Sequence, residues 1–382
     1  MTAATAYLCS RIFDGRTLHE KAALVVAGGV VSDLVSIDQL DENQRQVDLG
    51  SGILAPGLID LQVNGGGGLM LGDAESVEDM ARICHAHLRL GTTALTPTLI
   101  TDTPETTRKV VKLGIEAWAH GVRGFQGLHL EGPHLFKGRK GAHDPDLIRP
   151  MTEDDIELYL FAARQLPSLI LTIAPETVTP DQVQRLAEAG IHVSLGHSGA
   201  SYQECKAAAE AGASCVTHLF NAMSPLQHRE PGLVGAALDL GSLSAGLIAD
   251  GVHVDPVAIK VALKAKNGPG RIFLVTDAMS QTGTDVTSFH LGGREIFRRD
   301  GTLTLADGTL AGADIDLPAS LRYLTGTLNM PVDAALAMAT ADPADFLGRP
   351  LGHLQQGRAA DLVHLDEDFG VAGVWINGQP LS

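Results

Sequence analysis

The residues best suited to chemistry are histidines and carboxylates that close short apolar runs. One run ends His129-Leu130-Glu131-Gly132-Pro133, another at Gly196-His197, and the next at Thr217-His218. Later runs end Asp250-Gly251-Val252-His253 and Thr276-Asp277-Ala278. An early run ends Asp60-Leu61-Gln62-Val63-Asn64, with three polar side chains at a period of two and so on one face of a strand. Glu131, His197 and His218 are ligands of the kind that hold a catalytic zinc-type ion and leave a fourth position for water. His197 and His218 close consecutive runs, one β-α unit apart, which places them on adjacent strands. Singly, each His reads as a packed imidazole and Glu131 as a loop-capping carboxylate. Their common placement at strand ends points to ligation instead. Asp277 then has work to do: water on a metal loses its proton readily, and a nearby carboxylate can accept that proton and pass it to a leaving amine. Alone, Thr276-Asp277-Ala278 would serve equally as a helix N-cap.

Such residues must be carried by a frame that gathers strand ends. Eight apolar runs supply it: Leu58–Val63, Thr93–Leu99, Phe125–Leu130, Leu169–Ala174, His192–Leu195, Cys215–Leu219, Leu243–Ala249 and Ile272–Thr276. Helical periodicity fills most of the gaps, at Val77–Leu90, Pro104–Trp118, Glu153–Gln165, Pro180–Ala189, Tyr202–Ala211 and Pro256–Ala265. Tandem β-α units imply right-handed crossovers and a parallel sheet, and this number of them predicts a closed (β/α)8 barrel of the TIM type, with its active site at the C-terminal strand ends. An open doubly wound sheet would want a phosphate loop after the first strand. Asn64-Gly65-Gly66-Gly67-Gly68 lacks the GxGxxG spacing and a P-loop Lys. After the eighth run, Gly292-Gly293, Asp300-Gly301 and Asp307-Gly308 punctuate a β-insertion near 288–310, followed by helices near Ala319–Leu328 and Val332–Ala339. Both chain ends read as strands with turn signals, at Ala6–Ile12, Ala22–Val26, Asp361–Leu365 and Val371–Ile376. The α/β organisation expected is therefore a small β-sandwich domain from residues 1–56 and 346–382, and a barrel from 57–345.

The 382 residues are 45% hydrophobic, enough for a large core. No basic-apolar-small leader opens the chain, and no apolar run approaches the ~20 residues of a membrane helix, so a soluble cytoplasmic protein is expected. Cys9, Cys84, Cys205 and Cys215 are dispersed and never at CxxC spacing, which favours buried thiols in a reducing compartment. The net charge of -17 repels nucleic acid and anionic membranes, so an anionic substrate would need local cations.

The order and spacing of further segments are specific. Pro56–Asp60, Leu128–Pro133, Gly196–Ser198, Thr217–Met223, Arg229–Gly232, Ala249–His253 and Val275–Ala278 together resemble the amidohydrolase superfamily. Within it, the chain is similar to the N-acetylglucosamine-6-phosphate deacetylases along nearly its whole length. That resemblance implies hydrolysis of the acetamide of N-acetyl-D-glucosamine 6-phosphate, in amino-sugar catabolism and cell-wall sugar recycling. It implies Glu131, His197 and His218 as metal ligands, Asp277 as general base and then acid, and His143 as the group that polarises the carbonyl. Ala142, Asn221, Ala222, Gly251, Val252, His253 and Leu310-Ala311-Gly312 would line the sugar site. Arg229 would reach the phosphate across a homodimer interface. Without the resemblance, His143 is a surface-loop histidine and Arg229, beside Glu230, a solvated charge.

Many amidohydrolases carry His-x-His on the first strand and a modified Lys on the fourth. Here those positions are Gln62 and Asn64, and Leu169–Ala174 leads to Pro175-Glu176. Amides bind metals poorly, so one divalent ion per subunit is expected, Zn²⁺ or Fe²⁺. The resemblance to a one-metal branch of the deacetylases with this Gln-x-Asn pattern implies that Gln62 touches the ion through water. Asp314, in Gly312-Ala313-Asp314, stands where the family more often has a small hydroxyl residue. His129 and His134 flank Glu131 as supporting or purely structural residues, and the remaining histidines read as surface or packing. Rival readings are the N-acetylgalactosamine 6-phosphate epimer, deamination or cyclic-amide opening, and a barrel that has lost its chemistry.

Overall fold

A computed structural model describes residues 4–41, 44–291, 293–299 and 301–381. The expected apolar runs form one parallel sheet of eight strands, in chain order around the barrel. They are Leu58–Val63, Thr92–Ile100, Leu128–Glu131, Leu169–Ile173, His192–Leu195, Cys215–Val216, Ser244–Leu247 and Ile272–Leu274. Leu58–Val63 is buried at every position, as a strand covered on both faces must be, which explains why it reads as a run and not an alternation. Closure comes just past the eighth strand. Val63 bridges in parallel to Ala278, the Asp277 amide donates to the Gln62 carbonyl (3.0 Å), and the Asn64 amide donates to the Ala278 carbonyl (2.7 Å).

The crossover helices start where the local chemistry says they should. Thr103-Pro104, Thr179-Pro180 and Asp255-Pro256 each pair a capping side chain with a proline in the first turn. The cap oxygens accept from the amides of Thr106 (3.1 Å), Gln182 (3.3 Å) and Val257 (2.7 Å). One crossover helix, Gly232–Asp239, has no counterpart in the periodicity. Every residue from Gly232 to Leu238 is buried, so it carries no polar face to set up a 3.6-residue alternation. Near the C-terminus, Leu317–Arg322 continues as a π-turn over Tyr323–Thr327, Val332–Ala339 forms as expected, and Ala341–Leu347 adds a helix that the sequence pattern did not mark.

The β-insertion is a four-stranded antiparallel sheet of Ser288–Leu291, Arg294–Arg299, Thr302–Thr304 and Leu310–Ala313, extending past the expected limit. The turns expected at Gly292-Gly293 and Asp300-Gly301 involve Gly292 and Asp300, which lie outside the described residues. Ile296, Leu303 and Ala311 pack with Met70 and Met279 in a small core of their own.

Both chain ends build β-layers. Leu362–Leu365 pairs antiparallel with Ile53–Pro56 inside a six-stranded sheet, and Thr5–Leu8 lies within a four-stranded one. Tyr7, Leu24 and Val26 from the smaller sheet share one core with Ile12, Leu54 and Leu362 from the larger. The chain divides into two compact units, Met1–Asp60 with His87–Ala94 and Asp316–Ser382, and Leu61–Ala86 with Leu95–Ile315.

Candidate metal centre and active site

Three strand ends bring their ligand atoms to one point. Glu131 Oε1 lies 3.2 Å from His197 Nε2 and 3.1 Å from His218 Nε2, and the two Nε2 atoms are 3.0 Å apart. All three residues are at most 4% exposed. An ion with bonds of ~2.0–2.2 Å spaces tetrahedral ligands roughly 3.3 Å apart, so this triangle suits a divalent cation. The ring tautomers agree. His197 Nδ1 donates to the Arg139 carbonyl (2.9 Å), which turns a bare Nε2 toward the centre. His218 Nδ1 is buried and has no hydrogen-bond partner among the described residues, an orphan consistent with a ring placed for its other nitrogen. Burial alone would raise the Glu131 carboxyl, but the adjoining His197 and His218 rings hold it well below the usual range.

His143 joins the same cluster. Glu131, His143 and His197 offer ligand atoms within 4.8 Å of one another, a looser set than the first. His143 Nδ1 accepts from the Thr101 backbone amide (3.3 Å) and sits 2.8 Å from Thr101 Oγ1. An accepting Nδ1 places the proton on Nε2, which faces Glu131 Oε2 at 3.9 Å. Burial, together with the neighbouring His197, pushes the His143 pKa down to about 3, so the ring is a neutral donor. The distances and tautomers thus favour Glu131, His197 and His218 for an ion, with His143 as an N–H beside it.

The strand ends are bent to aim these side chains. His197 (φ 46°), His218 (φ 29°) and Asp277 (φ 52°) all adopt the left-handed backbone region, which costs non-glycine residues about 1–3 kcal/mol each. Asp277 stands on the closure seam. Gln62 Nε2 donates to Asp277 Oδ1 and to Glu131 Oε1 (both 3.2 Å), and Asn64 Nδ2 donates to Asp277 Oδ1 (2.7 Å). Burial and then the Glu131 charge raise the Asp277 carboxyl above its ordinary value, against His218 and Asn64. Close by, Gly312 (φ 76°) lets the last insertion strand approach, since a Cβ there would fall 2.5 Å from Met279 Cγ and 2.9 Å from the Asp277 carbonyl oxygen.

A cavity of about 260 Å³ opens over this cluster. Of the residues expected there, Ala142, His143, Asn221, Ala222, His253, Leu310 and Gly312 line it with Glu131, His197, His218 and Asp277. Asp250 Oδ2 holds His253 Nδ1 at 2.6 Å, leaving the other ring nitrogen for the cavity. Ala311 is buried between two lining neighbours, in the insertion core. Gly251, Val252 and Arg229 are exposed and outside the lining in this chain. Asn64 and Gly141 line it as well, and Ile100, Ile248, Met279, Leu291 and Thr309, which complete the wall, were not anticipated, because none carries titratable chemistry. Asp314 accepts from Arg298 Nε (2.7 Å) and Gln281 Nε2 (3.4 Å), so it fastens the insertion instead of facing the cavity. His129 and His134 are structural: His129 is held by Leu61 O and Thr172 Oγ1, His134 by Arg149 O and Tyr159.

The chain is similar to known proteins over nearly its whole length. The amidohydrolase family model matches residues 53–381. An N-acetylgalactosamine-6-phosphate deacetylase of Shewanella sp. (strain ANA-3) is 41% identical, over 97% of this chain and 94% of its own. An N-acetylglucosamine-6-phosphate deacetylase of Haemophilus influenzae is 33% identical, over 94% of each chain. The crystal structure of N-acetylglucosamine-6-phosphate deacetylase from Pasteurella multocida superimposes with a TM-score of 0.94 at 34% identity, covering 99% of this chain and 100% of that one. The chain belongs to the amidohydrolase family, in the branch that holds these amino-sugar phosphate deacetylases.

Proposed function

We propose that this protein hydrolyses the acetamide of N-acetyl-D-glucosamine 6-phosphate to D-glucosamine 6-phosphate and acetate. The observation that carries the reading is the meeting of Glu131 Oε1, His197 Nε2 and His218 Nε2 within 3.2 Å, beside the Asp277 carboxylate. One divalent ion per subunit, Zn²⁺ or Fe²⁺, belongs at these three atoms, with Gln62 in reach through water. When bound, such an ion supplies Lewis acidity for the amide carbonyl and acidifies water. The protein's own groups do the rest. Asp277 accepts the proton of the attacking water and returns it to the amine nitrogen as the C–N bond breaks. His143 Nε2–H donates to the carbonyl oxygen as its negative charge grows. Asn221, Ala222 and His253 hold the sugar ring.

The phosphate needs a cation against a field of -17. Arg229 is exposed and outside its own chain's cavity, and in our reading it serves the neighbouring subunit of a homodimer. No helix of the described residues is long and apolar enough to cross a membrane, and we assign the enzyme to the cytoplasm without a nucleic-acid partner. A second reading, the galactosamine epimer, is favoured by the 41% identity to the Shewanella enzyme.

Acetate release from N-acetyl hexosamines of both epimeric series, with and without the 6-phosphate, tests the assignment. The phosphorylated glucosamine derivative should give the highest kcat/KM, and Arg229→Ala should raise KM for phosphorylated sugars while leaving the weak turnover of unphosphorylated ones alone. A higher kcat/KM for the galactosamine derivative would establish the second reading, and no acetate from either would refute both.

A further inference from the structure

Among the described residues, every protein hydrogen bond to the Asp277 carboxylate falls on one oxygen. Asn64 Nδ2 donates to Oδ1 at 2.7 Å and Gln62 Nε2 at 3.2 Å. The Gln62 nitrogen is shared with Glu131 Oε1, whereas Asn64 Nδ2 makes the shorter bond to the carboxylate, with only longer contacts to the Asp277 carbonyl oxygen (3.4 Å) and Met279 Sδ (3.3 Å). Its amide orientation is forced. Reversing it would set a carbonyl oxygen against the Asp277 carboxylate, two acceptors face to face. The consequence is an Asn64 Oδ1 that is buried with no hydrogen-bond partner among the described residues, on a residue only 2% exposed. An apolar residue of similar size would avoid that orphan, so Asn64 is a poor choice for packing alone.

Backbone bonds across the closure seam fix where the Asp277 main chain lies. They do not fix the carboxylate, because the terminal torsion of an aspartate is broad and roughly two-fold. We propose that Asn64 is a positioning residue. It pins Oδ1 of Asp277, with Gln62 assisting, so that Oδ2 is the oxygen presented to the attacking water and then to the leaving amine. This rests on the assignment of Asp277 as the proton carrier.

The test is a double-mutant cycle with Asn64→Leu, which keeps the branched heavy-atom shape and removes the donor. In the wild-type background kcat should fall by about 10–100-fold, the scale of one hydrogen bond to a charged group, with KM and bound metal little changed. In the Asp277→Asn background the same substitution should cause no further loss, because Asn64 acts only through that carboxylate. Asn64→Ser gives the same comparison should the leucine variant fail to fold. Equal fractional losses in both backgrounds, or no loss in the first, overturn the proposal alone. Normal turnover by Asp277→Asn overturns the assignment beneath it.

Discussion

Two kinds of buried histidine flank the same carboxylate. His134, three positions after Glu131, is finished: Nδ1–H donates to the Arg149 carbonyl (3.1 Å) and Nε2 accepts from the Tyr159 hydroxyl (3.0 Å). His129, two positions before, is likewise held at both nitrogens, by Leu61 O and Thr172 Oγ1. His197 and His218 are unfinished. Their Nε2 atoms face one another and Glu131 Oε1, and no hydroxyl or amide is interposed. All four rings are almost wholly buried, so burial does not separate them. What does is whether the fold completes the lone pair or leaves it aimed at other acceptors. Backbone cost follows the same division: the left-handed region is occupied at His197 and His218 and not at His129 or His134.

The comparison is sharpened most by Asp277→Asn. The variant keeps shape and ligands but loses the proton acceptor, so turnover should fall ~10²–10⁴-fold with metal content intact. Loss of the metal instead would move Asp277 into the ligand set. A smaller effect is expected at the finished ring. His134→Phe leaves the Arg149 carbonyl and Tyr159 hydroxyl without their partner and should cost about 1–3 kcal/mol in denaturant unfolding at pH 7, with turnover per folded molecule unchanged. Burial pushes the His134 pKa down to about 4, against the ordinary 6.5. The unfolded chain therefore binds the proton first, and this ring's contribution declines as pH falls from about 6.5 toward 4. The gap in stability between wild type and His134→Phe should narrow over that window. A gap that stays constant would mean His134 does not remain neutral in the fold.

The barrel was legible because each of its strands is short, apolar and followed by a polar punctuation. Leu58–Val63 and His192–Leu195 were placed to the residue, and the fourth strand nearly so. Gly232–Asp239 was not, since a helix buried all round has no alternating face to read. At the site, Glu131, His197, His218 and Asp277 were legible from strand-end position, which fixes them without any knowledge of side-chain partners. His143 was not legible from position. Its meaning lies in Thr101, distant in sequence, whose amide decides which ring nitrogen carries the proton. Asn64 was visible only as a polar residue on the first strand, and its bond to Asp277 depends on closure between the first and last strands. Interactions set by closure leave no local pattern.

In the proposed mechanism the unfinished histidines hold an ion and the finished ones do not. Counting tightly bound metal per chain after loading and dialysis tests it directly, in the wild type, His218→Ala and His134→Phe. The account predicts about one ion in the wild type and in His134→Phe, and essentially none in His218→Ala. Two ions surviving dialysis in the wild type, or an undiminished ion in His218→Ala, would contradict it.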